Sequence, residues 1–244
     1  MANYSEETYG ERCANVYDEW FPDCDPDGID FLAKLASGGR ALELGIGTGR
    51  FALPLAARGV QVDGIDAADS MIAKLRAKPD SQQIKITKGN FAEVRVEGEF
   101  DLIYVVFNTL FALTSQEAQV NCFKNVATHL SKAGCFVIEA FVPDVTRFVR
   151  GNINWPMAVK TDRVELDIGT HDPATQTVIS QKVVMTDGNV RLYPVQIRYA
   201  WPSELDLMAQ LAGLRLRERW SSWRREPFRS DSQKHISVYE PSAS

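Results

Sequence analysis

Cysteine and histidine are scarce, long apolar runs are missing, and the charge balance is not basic. The four cysteines (Cys13, Cys24, Cys122, Cys135) form no C-x-x-C pair and have no histidine at ligand spacing, so no zinc site is expected. Cys122 falls in a helical pattern and Cys135 in a strand pattern, and both read as reduced core thiols. No stretch approaches the roughly 18 apolar residues that a membrane-crossing helix requires. The opening Met1-Ala2-Asn3-Tyr4-Ser5-Glu6-Glu7 lacks the basic start and apolar run of a secretory signal, so a cytoplasmic protein is expected. The formal charge of −5 argues against a nucleic-acid partner, which usually meets a basic face, and makes a small molecule the expected one. Hydrophobic residues at 45% and charged residues at 24% are ordinary for a globular chain.

From Arg40 to Val142 short apolar runs alternate with helical patterns. Ala41–Leu44, Val60–Ile65, Ile84–Ile86, Leu102–Phe107 and Phe136–Ile138 read as strands, and Phe51–Ala57 and Ser70–Ala77 as helices. Thr114, with Glu117 three residues on, reads as the cap of another helix carrying Val120, Phe123, Ala127 and Leu130 at helical spacing, and Gly134 ends that connection. Strands alternating with helices imply parallel pairing through right-handed crossovers, and hence a doubly wound α/β sheet. Between Pro143 and Ala200 the period changes to two. Val164–Ile168, Val178–Thr186 and the run through Val195, Ile197 and Tyr199 read as three strands of an antiparallel insertion, with a hairpin turn at Asp187-Gly188. A helix then starts at Ser203 with Asp206 three residues later, Gly213 stops it, and strands follow at Leu214–Trp220 and Ile236–Tyr239.

The segment richest in chemistry is Glu43-Leu44-Gly45-Ile46-Gly47-Thr48-Gly49, where the first strand meets its helix. This is the carboxyl edge at which α/β sheets bind ligands, and glycines there permit a tight turn and close approach of backbone to ligand. The dinucleotide fingerprint needs glycine or alanine at its sixth position, where helix and strand pack closely. Counted from Gly45, that position is Arg50, which weighs against a nicotinamide dinucleotide. Asp66 ends the second strand, where its carboxylate can accept hydrogen bonds from both hydroxyls of a ribose.

These residues, with Met71 after the second strand, Gly89-Asn90-Phe91 after the third and Val105-Val106-Phe107-Asn108 at the fourth, resemble the class I S-adenosylmethionine-dependent methyltransferases. The resemblance covers roughly residues 38–142 and implies a seven-stranded Rossmann-like sheet whose last strand is antiparallel. It implies that Glu43, Gly45, Gly47 and Gly49 lie under the methionine and ribose of the cofactor. By the same resemblance Asp66, with Ala67 and Met71 beside it, holds the ribose hydroxyls, Asn90 and Phe91 meet the adenine, and Phe107 borders the site. Position 90 is more often aspartate in that family, and asparagine accepts there without charge assistance. The N-terminal stretch Tyr9–Asp18 is similar to the lid helix of small-molecule members, among them sugar amine N-methyltransferases of bacterial natural-product pathways. That likeness puts Tyr17 between cofactor and substrate.

The resemblance also implies segments 1–37 as lid helices, 38–142 as the cofactor-binding core, 143–200 as a β insertion over the substrate, and 201–244 as the closing elements. Glu139 after the fifth strand and Asn108 after the fourth are candidate catalytic groups, and His171 in the insertion is the histidine best placed to be a base. His129 and His235 read as structural. Tyr193, Arg198 and Trp201, on the last inserted strand and its exit, are candidate substrate contacts. The arginines at 215, 217, 219, 224, 225 and 229 read as a solvated face, with meaning for function only if the substrate is nucleotide-linked. The expected activity is methyl transfer to a small-molecule amine or hydroxyl, and a homodimer is the one assembly considered. An NAD-dependent oxidoreductase, and a cofactor-binding protein that no longer transfers methyl, stand as alternatives.

Overall fold

The computed structural model describes residues 4–242. Two N-terminal helices, α1 (Thr8–Trp20) and α2 (Pro26–Ala36), precede the sheet. The second is well started: Asp25 accepts from the Asp27 N–H at 3.0 Å and Pro26 takes the first helical position. There follow β1 (Arg40–Leu44), α3 (Ala52–Ala56), β2 (Gln61–Asp66), α4 (Asp69–Arg76), β3 (Lys85–Lys88), β4 (Phe100–Val105), α5 (Gln116–His129) and β5 (Leu130–Phe141). An insertion of β6 (Asn152–Val159), β7 (Arg163–Asp172), β8 (Thr177–Thr186) and β9 (Asn189–Arg198) comes next, then α6 (Pro202–Leu211), β10 (Leu214–Trp220) and β11 (Lys234–Pro241).

The main sheet has the order β10-β11-β5-β4-β1-β2-β3. Neighbours from β5 to β3 pair in parallel, and β11 runs antiparallel to both β5 and β10. Both faces are covered, so the central strands are apolar on both sides. On one face α5 and α6 cover Phe136 and Tyr239, with the Phe123 and Phe136 rings 5.3 Å apart. On the other, Phe31 and Leu32 of α2 and Leu55 of α3 pack with Leu102, Tyr104 and Val137. The insertion is a separate antiparallel sheet, β6-β7-β8-β9.

Four local readings of the sequence are corrected. The cap of α5 is Ser115, not Thr114: its extended backbone lets the hydroxyl accept from the Ala118 N–H at 3.1 Å. Gly134 does not end a connection but lies inside β5, where a Cβ would stand 2.8 Å from the Phe100 carbonyl oxygen. The insertion has four strands rather than three, because β6 carries Pro156 and shows exposed Trp155, Met157 and Val159, which masks its period; as an edge strand with a register shift at Pro156 it tolerates both. Helix α6 begins at Pro202 with no side-chain cap, and Asp206 pairs with Arg219 instead. Among the described residues no helix is long and apolar enough to cross a membrane.

The strand under the glycine turn must be bare at one point. A Cβ on Gly64 would stand 2.8 Å from Ile46 Cβ, in the turn directly above it. Gly64→Val is therefore expected to lower stability by about 1–3 kcal/mol through overpacking. Urea unfolding checks this, and an unchanged midpoint would contradict it.

Candidate active site

The turn after β1 is tied to the end of β2. The Gly45 and Ile46 N–H groups both donate to the Ile65 carbonyl, at 2.8 and 2.9 Å. Gly47 N–H donates to Asp66 Oδ2 at 2.7 Å, and Ala68 N–H to Asp66 Oδ1 at 2.9 Å. Gly45 and Gly47 sit at φ of 72° and 54°, where a side chain is strained. A Cβ at Gly45 would also collide with the Thr109 side chain, whereas nothing lies within 4 Å of one at Gly47. Burial raises the Asp66 carboxyl from its ordinary value, and the Ala68 and Gly47 N–H groups oppose the shift. Beneath the turn, Glu43 is buried and accepts from the Tyr104 hydroxyl at 3.0 Å. Loss of water pushes its carboxyl up to about 8.

Helix α1 is fastened over this corner. Thr48 Oγ1 donates to Asp18 Oδ1 at 2.6 Å, Lys78 Nζ lies 2.8 Å from Asp18 Oδ2, and Ser70 N–H donates to Glu11 at 2.9 Å. The chain after β4 completes the wall with two consecutive left-handed residues, Phe107 (φ 56°) and Asn108 (φ 65°). This unfavourable pair is held by Phe107 N–H donating to Glu139 Oε2 at 3.1 Å and Phe141 N–H donating to Asn108 Oδ1 at 2.7 Å. The Phe107 ring meets Phe21 edge-on at 4.8 Å and carries the Arg50 guanidinium 4.2 Å above it.

Between these parts lies a cavity of about 330 Å³. Gly45, Gly47, Asp66, Ala67, Met71, Asn90 and Phe91 line one end. Tyr17, Phe107 and Asn108 line the rest, together with Tyr4 and Tyr9, Leu113, Phe141, and Val195 and Ile197 of β9. Asn90 turns its side-chain oxygen to the Ala92 N–H at 2.9 Å.

Seven of the expected residues do not line the cavity. Glu43 and Gly49 lie beneath the turn, Gly49 against Leu53 and Leu75. Glu139 lies outside the lining, where Phe107 N–H, Trp223 Nε1 (3.2 Å) and Lys234 Nζ (3.5 Å) engage its carboxylate. His171 stacks on Phe148 with ring centres 4.2 Å apart and shares a 2.9 Å hydrogen bond with the Tyr199 hydroxyl. Tyr193 is buried against Trp20, Arg198 is buried among Gln119, Gln176 and Glu204, and Trp201 precedes α6 with its side chain exposed. The reading from sequence missed Tyr9, although Tyr9, Cys13 and Tyr17 at spacings of four form one helical stripe. It also passed over Val195 and Ile197, whose alternation was visible but whose apolar side chains carried no chemical cue.

A seven-stranded sheet with one reversed strand, a glycine turn and an acid at the end of β2 defines the class: the chain belongs to the class I S-adenosylmethionine-dependent methyltransferases, and S-adenosylmethionine is its cofactor. A family profile described as a methyltransferase domain matches residues 41–134. The CcbJ methyltransferase of Streptomyces caelestis is 39% identical, with 98% of this chain and 100% of that one aligned and a TM-score of 0.92. The cypemycin N-terminal methyltransferase of a Streptomyces species is 26% identical over 240 residues, 95% of this chain and 97% of the relative. The fold is shared with CalS10 of Micromonospora echinaspora, an amino pentose methyltransferase solved with its cofactor: 16% identity, TM-score 0.69, 92% of this chain and 96% of that one. Membership in this family sets aside the oxidoreductase alternative.

Glu43 gives the site a measurable pH signature. Its folded carboxyl holds the proton up to about pH 8, whereas the unfolded one releases it near 4.5. Unfolding therefore releases a proton between these values, and this group's contribution to stability is full below 4.5 and lost as pH rises through about 8. Glu43→Gln keeps an acceptor for Tyr104 and does not titrate. The melting temperature of the variant relative to wild type is expected to rise across that window, and a constant offset would contradict it.

Proposed function

We propose that the chain methylates an amine nitrogen on a small molecule, and that the glycine-turn end of the cavity holds S-adenosylmethionine while the β9 end holds the acceptor. Support for the first placement is the open space above Gly47, where a Cβ would meet nothing within 4 Å, beside a carboxylate already oriented by two backbone N–H groups. A carboxylate has about four acceptor positions, so Asp66 retains capacity for ribose hydroxyls. Asn90 and Phe91 would border the adenine, with Ala67 and Met71 packing beside the ribose. When bound, the cofactor supplies a methyl group on a sulfonium, and its transfer leaves the pair of the broken carbon–sulfur bond on sulfur. The protein's part is to align the acceptor, exclude water and place no competing nucleophile nearby.

One observation favours nitrogen over oxygen. Among the described residues lining the cavity, the ionisable side chains are Glu6, Asp66 and the phenols of Tyr4, Tyr9 and Tyr17. Asp66 is committed to the turn and Glu6 is exposed at the rim. Burial raises all three phenols, Tyr17 to about 12, so they are neutral at physiological pH and cannot take a proton. A hydroxyl acceptor generally needs a base, whereas an amine attacks with its own lone pair. The similarity to the cypemycin enzyme, an N-terminal methyltransferase, supports the same reading.

The test is transfer of labelled methyl to matched amines and alcohols with the same carbon skeleton. Label is expected on nitrogen, with kcat/KM rising as pH approaches the pKa of the acceptor amine, because the neutral form reacts. Label appearing on oxygen alone would overturn the proposal.

A further inference from the structure

We propose that the acceptor end of the cavity selects an amine carried on an apolar body without negative charge, and rejects acceptors bearing phosphate or carboxylate. The inference rests on the placement of cofactor and acceptor given above and names the acceptor class more narrowly. No lysine, arginine or histidine is found among the described residues that line the cavity, and its two carboxylates are Glu6 and Asp66. An anion entering such a space loses its water and gains no counter-charge, a cost of several kcal/mol for an unpaired ion.

Four cations on the elements around the cavity are already committed. Arg50 lies over Phe107 and donates to the Asp23 carbonyl at 3.2 Å. Lys78 is held by Asp18 and the Thr48 carbonyl, and Lys88 pairs with Asp69. Arg198, on β9 itself, is 5% exposed and is surrounded by Gln119, Gln176 and Glu204. The arginine cluster that would give a nucleotide-linked substrate a grip is taken up at four of its positions. Arg215 pairs with Glu240, Arg217 with Glu218, Arg219 with Asp206 and Arg224 with Asp27. None of the cluster's six arginines is a lining residue of the cavity.

What the acceptor end does offer is apolar and aromatic surface: Tyr9, Tyr17, Phe107, Phe141, Val195 and Ile197. Aromatic faces attract cations, most strongly where water is excluded. This suits the chemistry at nitrogen. Its lone pair forms the new bond to carbon, the nitrogen takes the positive charge given up at sulfur, and the proton it then sheds goes to water. The same rings that accommodate an alkyl body thus also favour the ammonium that transfer creates.

A matched pair of probes isolates charge from shape. Calorimetric titration of the enzyme saturated with S-adenosylhomocysteine compares benzyltrimethylammonium with benzylphosphonate. The cation is expected to bind at least about tenfold more tightly, in keeping with ~1–2 kcal/mol for a desolvated cation over aromatic rings. Benzylphosphonate binding as tightly as the ammonium, or no detectable binding of the ammonium, would overturn the inference. Ile197→Lys adds a cation to the lining and is expected to narrow the ratio; the wild-type comparison stands if that variant fails to fold. The proposal of N-methylation fails separately, through label on oxygen alone, whatever the two probes do.

Discussion

The Asp66 carboxylate is the knot on which the rest of this corner depends. One oxygen takes the Gly47 N–H from the turn after β1, and the other takes the Ala68 N–H at the start of α4. Two segments that leave adjacent parallel strands are thereby locked together at the carboxyl edge of the sheet, the edge at which open α/β sheets bind their ligands. The arrangement requires φ of 72° and 54° at Gly45 and Gly47, and it requires Gly64 beneath to carry no side chain. Glycine is set by geometry at each of these positions.

Around the knot, the other walls are held from outside the cavity. Helix α1 is fastened through Asp18 to Thr48 and Lys78 and through Glu11 to Ser70, so the stripe of Tyr9, Cys13 and Tyr17 is presented inward without any of these tyrosines bearing the anchoring contacts. Glu139 acts in the same way on the opposite wall. It lies outside the cavity, yet it carries the N–H of Phe107, the first of two adjacent left-handed residues. Trp223 and Lys234 engage the same carboxylate, tying this wall to the segment between β10 and β11 and to β11 itself. The lining is thus neutral or weakly acidic, and the charged groups that stabilise it face away.

Much of this was legible in the sequence because the relevant signals are local. The glycine spacing, the acid ending the second strand and the alternation of strands with helices each lie within a few residues; they pointed to the parallel sheet, and the family resemblance they carry implied its reversed strand and the cofactor. The rest depends on contacts across long sequence separations. Glu139 and His171 had suitable chemistry and plausible positions, but Trp223, Lys234, Tyr199 and Phe148, which engage them, lie 23 to 95 residues away. Arg198 looked like a substrate contact, but Gln119, 79 residues distant, holds it. Strand β6 was invisible because an edge strand with a proline and exposed apolar residues shows no clean alternation. Val195 and Ile197 were read as strand residues but not as cavity lining, because an apolar pocket is made of the same residue types as a core.

The central claim is that the Asp66 carboxylate receives ribose hydroxyls as well as securing the turn. A double-mutant cycle tests it directly: affinities of S-adenosylhomocysteine and its 2′-deoxyribose analogue for wild type and for Asp66→Ala. Hydrogen bonds to a charged group contribute about 1.5–3 kcal/mol, so removing the hydroxyl should weaken binding to wild type roughly 10- to 100-fold and make little difference to the variant. Equal loss of affinity in both proteins would show that the carboxylate does not touch the ribose, and the account of the site would fall.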